Sequence, residues 1–261
     1  MALTTPVPDQ DAAPTAASLA ARIEIPLVLP VRYDGQRIRS LSKTSYELFC
    51  LCPDAYRRRY ICGEREPTSG AMFLGSRLDD AMTHYYGTRM DTGQEMAVGE
   101  VQRFYEHNWA EQLEREQDER GVDWSDLHEQ AAFEIGRDAV AVCIGQFAPQ
   151  LGEPVAVQRR FEFKVTSRAH WTVEGYPDLE VRRYELGSEE PVAGVVDWKV
   201  KGKPVYQSKA DRDVQASLYL TARWVEGNPA TDFTLAQVLR PGPERQKTTS
   251  KIVRTTRTIE Q

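Results

Sequence analysis

The spacing of apolar positions changes along this chain, and each change predicts a different element. Residues 1 to about 22 show no period; they are rich in Ala, Pro, Thr and Asp and read as a disordered tail. From Ile23 order is expected. Ile25 to Tyr33 and Gln36 to Ser42 flank Asp34-Gly35, which predicts a hairpin with a type I′ turn. Helical spacing follows. Thr44 with Glu47 predicts a capping box, and Pro53 suits the first turn of a second helix. Phe73 to Tyr86 predicts a helix opened by Gly75, with Leu78, Met82 and Tyr85 as its apolar stripe. Asp79 and Asp80 flank that stripe, and His84 follows four residues after Asp80. Two long amphipathic runs predict a helical insert at about 97–150, in which His107 and His128 read as structural or solvated.

Alternation with period two returns at Val155, where VAVQRRFEFKV predicts one strand. GYPDLEV from Gly175 and VVDWKV from Val195 predict two more, paired as a hairpin. Ser208 to Val225 predicts one helix with Leu218, Ala222 and Val225 buried, and with Gln215 and Tyr219 one turn apart on a shared face. FTLAQVLR, the turn Pro241-Gly242-Pro243 and SKIVRTTRT predict a terminal hairpin. The expected fold is α/β, a mixed central sheet flanked by helices. It should form a single domain over residues 23–261.

Composition narrows the partners. The 261 residues are 41% hydrophobic and 28% charged with a net charge of −6, so no global basic field recruits nucleic acid. Binding would have to use local patches. One is Arg240, Arg245, Lys247, Lys251, Arg254 and Arg257 against the single acid Glu244. Another is the helix face with Tyr56 and Tyr60 a turn apart and Arg57, Arg58 and Arg59 between them. Such a face can hold a backbone and stack bases, or it can pack its tyrosines inward and solvate its arginines. No apolar run has membrane-spanning length, and the N-terminus lacks a charged start and apolar middle, so a cytoplasmic protein is expected. Cys50, Cys52, Cys62 and Cys143 do not resemble a secreted disulfide framework.

The candidate chemistry sits in the hairpin. Residues two apart on a strand share a face, so Asp197 and Lys199 project together with Trp198 on the other side. Pairing of the two runs brings Asp178 alongside. Adjacent carboxylates repel unless a cation lies between them, and hard oxygen ligands suit Mg²⁺ or Mn²⁺. Two carboxylates, a divalent cation and an ammonium fit metal-dependent phosphodiester hydrolysis. A solvated strand face fits the same Asp-x-Lys triplet.

The order of these motifs resembles the PD-(D/E)xK nuclease superfamily, in particular its RecB-like exonuclease branch of phage-type and CRISPR-associated enzymes. The likeness covers about residues 40 to 240. LSKTSYELFCLCPDAYRRRY is similar to the opening helices of that branch. Gly175-Tyr176-Pro177-Asp178 matches Gly-x-x-Asp, Asp197-Trp198-Lys199 matches Asp-x-Lys, and Gln215 to Tyr219 matches Gln-x-x-x-Tyr. The resemblance implies a restriction-endonuclease-like sheet and a metal-dependent DNA exonuclease. Asp178 and Asp197 would bind the metal with the Trp198 carbonyl, and Lys199 would act on water or phosphate. Gln215 and Tyr219, with Tyr56, Arg57 and Arg58, would support the site or contact DNA. It implies linear DNA ends as partner, and work in recombination, repair or phage DNA processing, including a recombination complex. An endonuclease of the same fold and a non-catalytic DNA-binding protein are the alternatives. Two departures stand out. Asp79 occupies the position of a metal-binding His, which makes it the candidate third ligand. No Cys follows Cys143, so the iron–sulfur cluster of some relatives, for which Cys52 would be the early ligand, is not expected. The chain stops soon after a basic strand, which leaves open a missing C-terminal element.

Overall fold

The alternating runs do form strands, but they divide between two sheets. The computed structural model describes residues 40–165, 171–184, 189–242 and 245–258. The tail and nearly all of the hairpin expected around Asp34-Gly35 lie outside those residues. Its last residues form β1 (Ser40–Leu41). Helix α1 (Lys43–Leu51) follows, capped by Ser42 with Ser45 rather than by Thr44 with Glu47. The Ser42 hydroxyl accepts from the Ser45 N–H at 3.2 Å, while Ser45 accepts from the Ser42 N–H at 2.9 Å. Glu47 instead pairs with Lys43 at 3.0 Å. Helix α2 (Pro53–Tyr56) opens on its proline, as the missing N–H of proline permits, and runs on as a π-helical turn over Arg57–Ile61.

After β2 (Thr68–Ser69) comes α3 (Gly70–Thr92), longer at both ends than the stripe predicts because Ser69 caps it and Gly93 ends it with φ 70°. Helix α4 (Val98–Glu119), the short β3 (Val122–Asp123) and α5 (Glu129–Val142) fill the region of the expected insert, with a π-helical turn over Cys143–Phe147 and a last turn at Ala148–Leu151. Gly136 on α5 lies against Tyr105 of α4, where any β-carbon would overlap the phenol.

The expected strand VAVQRRFEFKV breaks into β4 (Glu153–Val157) and β5 (Phe161–Lys164). The break is Gln158, which has φ 46°, a conformation that ends a strand. Strands β6 (Thr172–Gly175), β7 (Leu179–Arg183) and β8 (Val192–Lys201) follow. The helix expected from Ser208 is two pieces, α6 (Gln207–Ala210) and α7 (Val214–Val225). Asp213 divides them because its carboxylate caps α7 through the Gln215 N–H at 2.8 Å. The buried face of α7 is Gln215, Ala216, Tyr219, Leu220, Ala222 and Arg223; Val225, expected inside, is 61% exposed. Strands β9 (Asp232–Leu239) and β10 (Thr249–Thr256) make the expected terminal hairpin.

The large sheet runs β10-β9-β8-β7-β4, antiparallel except for the parallel β8–β9 pair, and the small sheet runs β1-β6-β5. The chain therefore leaves the large sheet between β4 and β5 and returns between β6 and β7. Each face of the large sheet has its own core. Helices α3, α4 and α5 and the π-helical turn after α5 pack on one face through Phe73, Leu78, Tyr86, Tyr105, Val140 and Phe147 against Leu179, Val181, Val196 and Trp198. Helix α7 packs on the other through Ala216, Tyr219 and Leu220 against Val195, Phe233, Leu235 and Val253, with Phe161 and Val173 of the small sheet alongside.

Candidate active site

Strand alternation sorts β8 between these two cores. Val196 and Trp198 face α3, and the Trp198 ring stacks on Tyr86 with centroids 5.6 Å apart. Val195, Asp197 and Lys199 consequently face α7. The β7–β8 register pairs Leu179 with Val196, and one step further Asp178 comes opposite Asp197. Asp178 is the last residue before β7, at the point where the chain returns from the small sheet.

Both carboxylates are buried, Asp178 at 8% exposure and Asp197 at 1%. Asp178 Oδ2 accepts from the Trp198 N–H at 2.9 Å, and its Oδ1 accepts from Gln158 Nε2 at 3.3 Å. The Gln158 N–H also donates to the Asp178 carbonyl at 3.3 Å. Thus the residues at the two crossings between sheets are tied to each other twice. Lys199 Nζ donates to Asp197 Oδ1 at 2.7 Å and lies equally close to Oδ2. Gln215 Nε2 donates to Asp197 Oδ1 and to the Tyr219 hydroxyl, which donates to the Tyr176 carbonyl at 3.1 Å. Gly175 makes room for this chain of bonds: a β-carbon there would lie 2.8 Å from the Phe161 ring and 3.2 Å from that of Tyr219.

The electrostatics are unbalanced. Burial, then the Asp197 charge, pushes the Asp178 carboxyl up to about 7, against the pull of Lys199 and its hydrogen bonds. Burial alone would lower the Lys199 ammonium, but Asp197 and then Asp178 hold it above its ordinary value. Asp79 on α3, half-buried, is raised well above the carboxylate range by burial first and by Asp178 next, so it belongs to the same electrostatic group. Asp197 Oδ2 is buried, lies beside the ammonium, and still lacks a hydrogen bond of good geometry. A shared site with several carboxylates, one ammonium and an unsatisfied buried oxygen fits a hard cation. Among the described residues, no three His, Cys, Asp or Glu side chains stand close enough to form a ready cage.

A family model for the PD-(D/E)XK nuclease superfamily matches residues 40–258. The chain belongs to the PD-(D/E)XK nuclease superfamily. Among solved structures, a candidate exonuclease from Eubacterium rectale shares the fold with a TM-score of 0.52 at 13% identity, over 85% of this chain and 74% of that one. A comparison with curated proteins gives no match. PD-(D/E)XK nucleases generally use divalent metals. The mixed sheet with helices on both faces is consistent with the restriction-endonuclease-like fold of the superfamily.

The other candidate residues of this nuclease-family chain are placed less uniformly. His84 stacks on Phe104 at 4.0 Å and so faces α4 rather than the carboxylates. Asp80 pairs with Arg77 at 3.2 Å. Tyr56 is 5% exposed and packs against Phe49 and Tyr60, so the inward packing holds and the ring offers no open stacking surface. Arg57 and Arg58 are exposed but share Asp54, at 2.9 and 2.8 Å. In the expected C-terminal basic patch three arginines brace carbonyls: Arg245 those of Gly202 and Arg240, Arg254 that of Gln150, and Arg257 that of Ala210. Their charge is spent partly on the fold. Cys50 and Cys52 are exposed, Cys62 is half-buried and Cys143 is buried. Among the described residues, no helix is long and apolar enough to cross a membrane. Gln158 carries little signal in the sequence, only a polar residue inside an alternating run. The lysines that follow Lys199 carry no motif of their own.

Proposed function

We propose that this chain is a divalent-metal-dependent deoxyribonuclease that removes nucleotides from the ends of linear DNA. One observation carries the reading: Asp178 and Asp197, buried side by side, make with Asp79 a group of three carboxylates opposed by the single ammonium of Lys199. In this reading Asp178 and Asp197 would hold the cation, joined by the Trp198 carbonyl and by Asp79. A divalent cation bound there supplies a Lewis acid to the phosphate and acidifies water. Gln215 orients Asp197 through its amide, and Tyr219 fixes Gln215 in turn. Trp198 and Gln158 hold Asp178 by its two oxygens. Lys199 keeps its proton at neutral pH and places a fixed positive charge where charge develops on the phosphoryl oxygens. The exonucleolytic mode is supported by the RecB-like order of Gly175 to Asp178, Asp197 to Lys199 and Gln215 to Tyr219.

The test is digestion of end-labelled linear DNA and of closed circular DNA with Mg²⁺, Mn²⁺ or EDTA. Metal-dependent loss of the linear substrate alone is expected. Cleavage of the circle would move the reading to an endonuclease, and undiminished cleavage in EDTA would remove the metal from it.

A further inference from the structure

The strand that carries Asp197 and Lys199 continues into a short basic segment. From Lys199 to Lys209 there are four lysines and no acid, in a protein whose net charge is −6. Lys201 ends β8 two residues after Lys199, on the same face as Lys199 and Asp197. Residues 202–206 have no regular structure, but they are pinned. Gln237, fully buried on β9, binds both backbone groups of Val205: its Oε1 accepts from the N–H at 2.5 Å and its Nε2 donates to the carbonyl at 3.2 Å. Arg245 donates to the Gly202 carbonyl at 2.8 Å, and the Arg240 N–H donates to the Lys201 carbonyl at 2.9 Å. A buried glutamine and an arginine spent on holding one loop give that loop a fixed shape.

That shape presents positive charge without neutralising it. Among the described residues no carboxylate lies within ion-pairing distance of Lys201, Lys203 or Lys209. Burial first, then the like charges of Lys199 and Lys43, hold the Lys201 ammonium below its ordinary value against the weaker pull of Asp197, and Lys209 adds a little. Converging ammonium groups repel, and an arriving anion relieves that repulsion. Beside them the Tyr206 ring is 64% exposed, with Lys251 over it at 4.2 Å. Lysines along a fixed loop next to an open aromatic ring match a backbone of regularly spaced phosphates bearing unpaired bases.

We propose that the segment from Lys201 at the end of β8 to Lys209 on α6 grips the phosphodiester backbone of a single-stranded polynucleotide beside Asp197 and Lys199, with Tyr206 as a stacking surface for a base. The identity of that strand as the strand being cut rests on the function proposed above; the grip itself is read without cleavage. The experiment is the binding of a short labelled single-stranded oligodeoxynucleotide in EDTA over a range of salt. The proteins compared are wild type, the triple variant Lys201→Ala/Lys203→Ala/Lys209→Ala, Tyr206→Ala, Tyr206→Phe, and Arg115→Ala on α4 as a surface control. The triple variant should bind at least about tenfold more weakly at low salt, with its salt slope reduced by about 2, from roughly 0.7 per lost phosphate contact. Tyr206→Ala should bind about tenfold more weakly while Tyr206→Phe binds as wild type. Arg115→Ala should change neither quantity. A triple variant with wild-type affinity and slope overturns the grip, as does a wild type that fails to bind the oligonucleotide. Tighter binding of a duplex than of the single strand overturns the single-strand assignment. Cleavage by wild type alongside unaltered binding by the loop variants removes the grip and leaves the nuclease reading standing. Loop-dependent binding by a wild type that cleaves no DNA with any divalent cation does the reverse.

Discussion

The β7–β8 hairpin carries two buried acidic centres, and they are solved in opposite ways. Glu180 is 5% exposed and meets Arg159 at 3.0 Å and Arg223 at 3.3 Å; both arginines also reach Glu226. Two acids thus face two bases. Two residues away, Asp178, Asp197 and Asp79 share the single base Lys199. Burial raises Glu180 too, but Arg159 offsets part of that; at Asp178 the Asp197 charge adds to burial, and Lys199 offsets only part of the sum. A closed lattice of charges serves the fold. In the function proposed above, the centre left short of positive charge is the one that takes up a cation.

The contrast breaks most visibly when acids are removed one at a time. Asp178→Ala and Asp197→Ala should lower DNA cleavage by roughly 10³-fold or more, because too few hard ligands remain, and should leave the folded state intact. Glu180→Ala should do the opposite, costing about 3 kcal/mol of stability by leaving buried Arg223 undercompensated, with cleavage retained wherever the protein is folded. Cleavage rates together with chemical denaturation curves separate the two centres. A Glu180→Ala protein that is stable but inactive would merge them into one. Lys199→Ala sharpens the point: cleavage should fall roughly 10²–10³-fold while metal-dependent stabilisation survives, since an ammonium is no ligand.

Cation binding gives the next largest effect. At about 100 times its dissociation constant, Mg²⁺ or Mn²⁺ should add about 2.7 kcal/mol, seen as a rise in Tm that Asp197→Ala abolishes and Glu180→Gln leaves in place. Without metal, pH should reveal the charge deficit. Asp178 is raised to about 7 from an ordinary 3.8, so the folded state holds the proton more tightly than the unfolded. Its contribution is therefore most favourable below about pH 4 and is lost as pH rises towards 7. Asp178→Asn should flatten that part of the Tm–pH curve; an unchanged curve would show that Asp178 titrates alike in the folded and unfolded states. The smallest effect concerns Asp79. Asp79→Ala should weaken Mn²⁺ binding roughly tenfold and Asp79→His should restore it, if α3 lends a ligand to the site. Metal titration of the three proteins decides this.

Local periodicity was enough to place Asp197, Trp198 and Lys199 on their faces and to set Gln215 below Tyr219, because both relations span a few residues of one element. It also foresaw the β7–β8 and β9–β10 hairpins. It failed where a short-range pattern was overruled from afar. VAVQRRFEFKV alternates well enough for one strand, yet Gln158 turns it between sheets to meet Asp178, twenty residues on. The helix from Ser208 breaks because the Asp213 carboxylate does better as a cap than inside a helix. Arg245 and Arg257 looked free because the carbonyls they brace are distant in sequence. The lysines after Lys199 went unweighted for the same reason: a run of charge gains meaning once Gln237 is seen to hold it still.

Gln158 also bears on how portable this chemistry is. Its left-handed backbone, at φ 46°, costs roughly 1–3 kcal/mol for a residue with a side chain. Glycine would remove that cost and with it the amide that holds Asp178 Oδ1. The corner between the sheets and the aim of the Asp178 carboxylate are thus inherited together. Grafting the β7–β8 hairpin onto another sheet would transfer Asp178, Asp197 and Lys199 as residues while leaving behind the bend that points the first of them. A designer borrowing this centre would have to borrow both sheets.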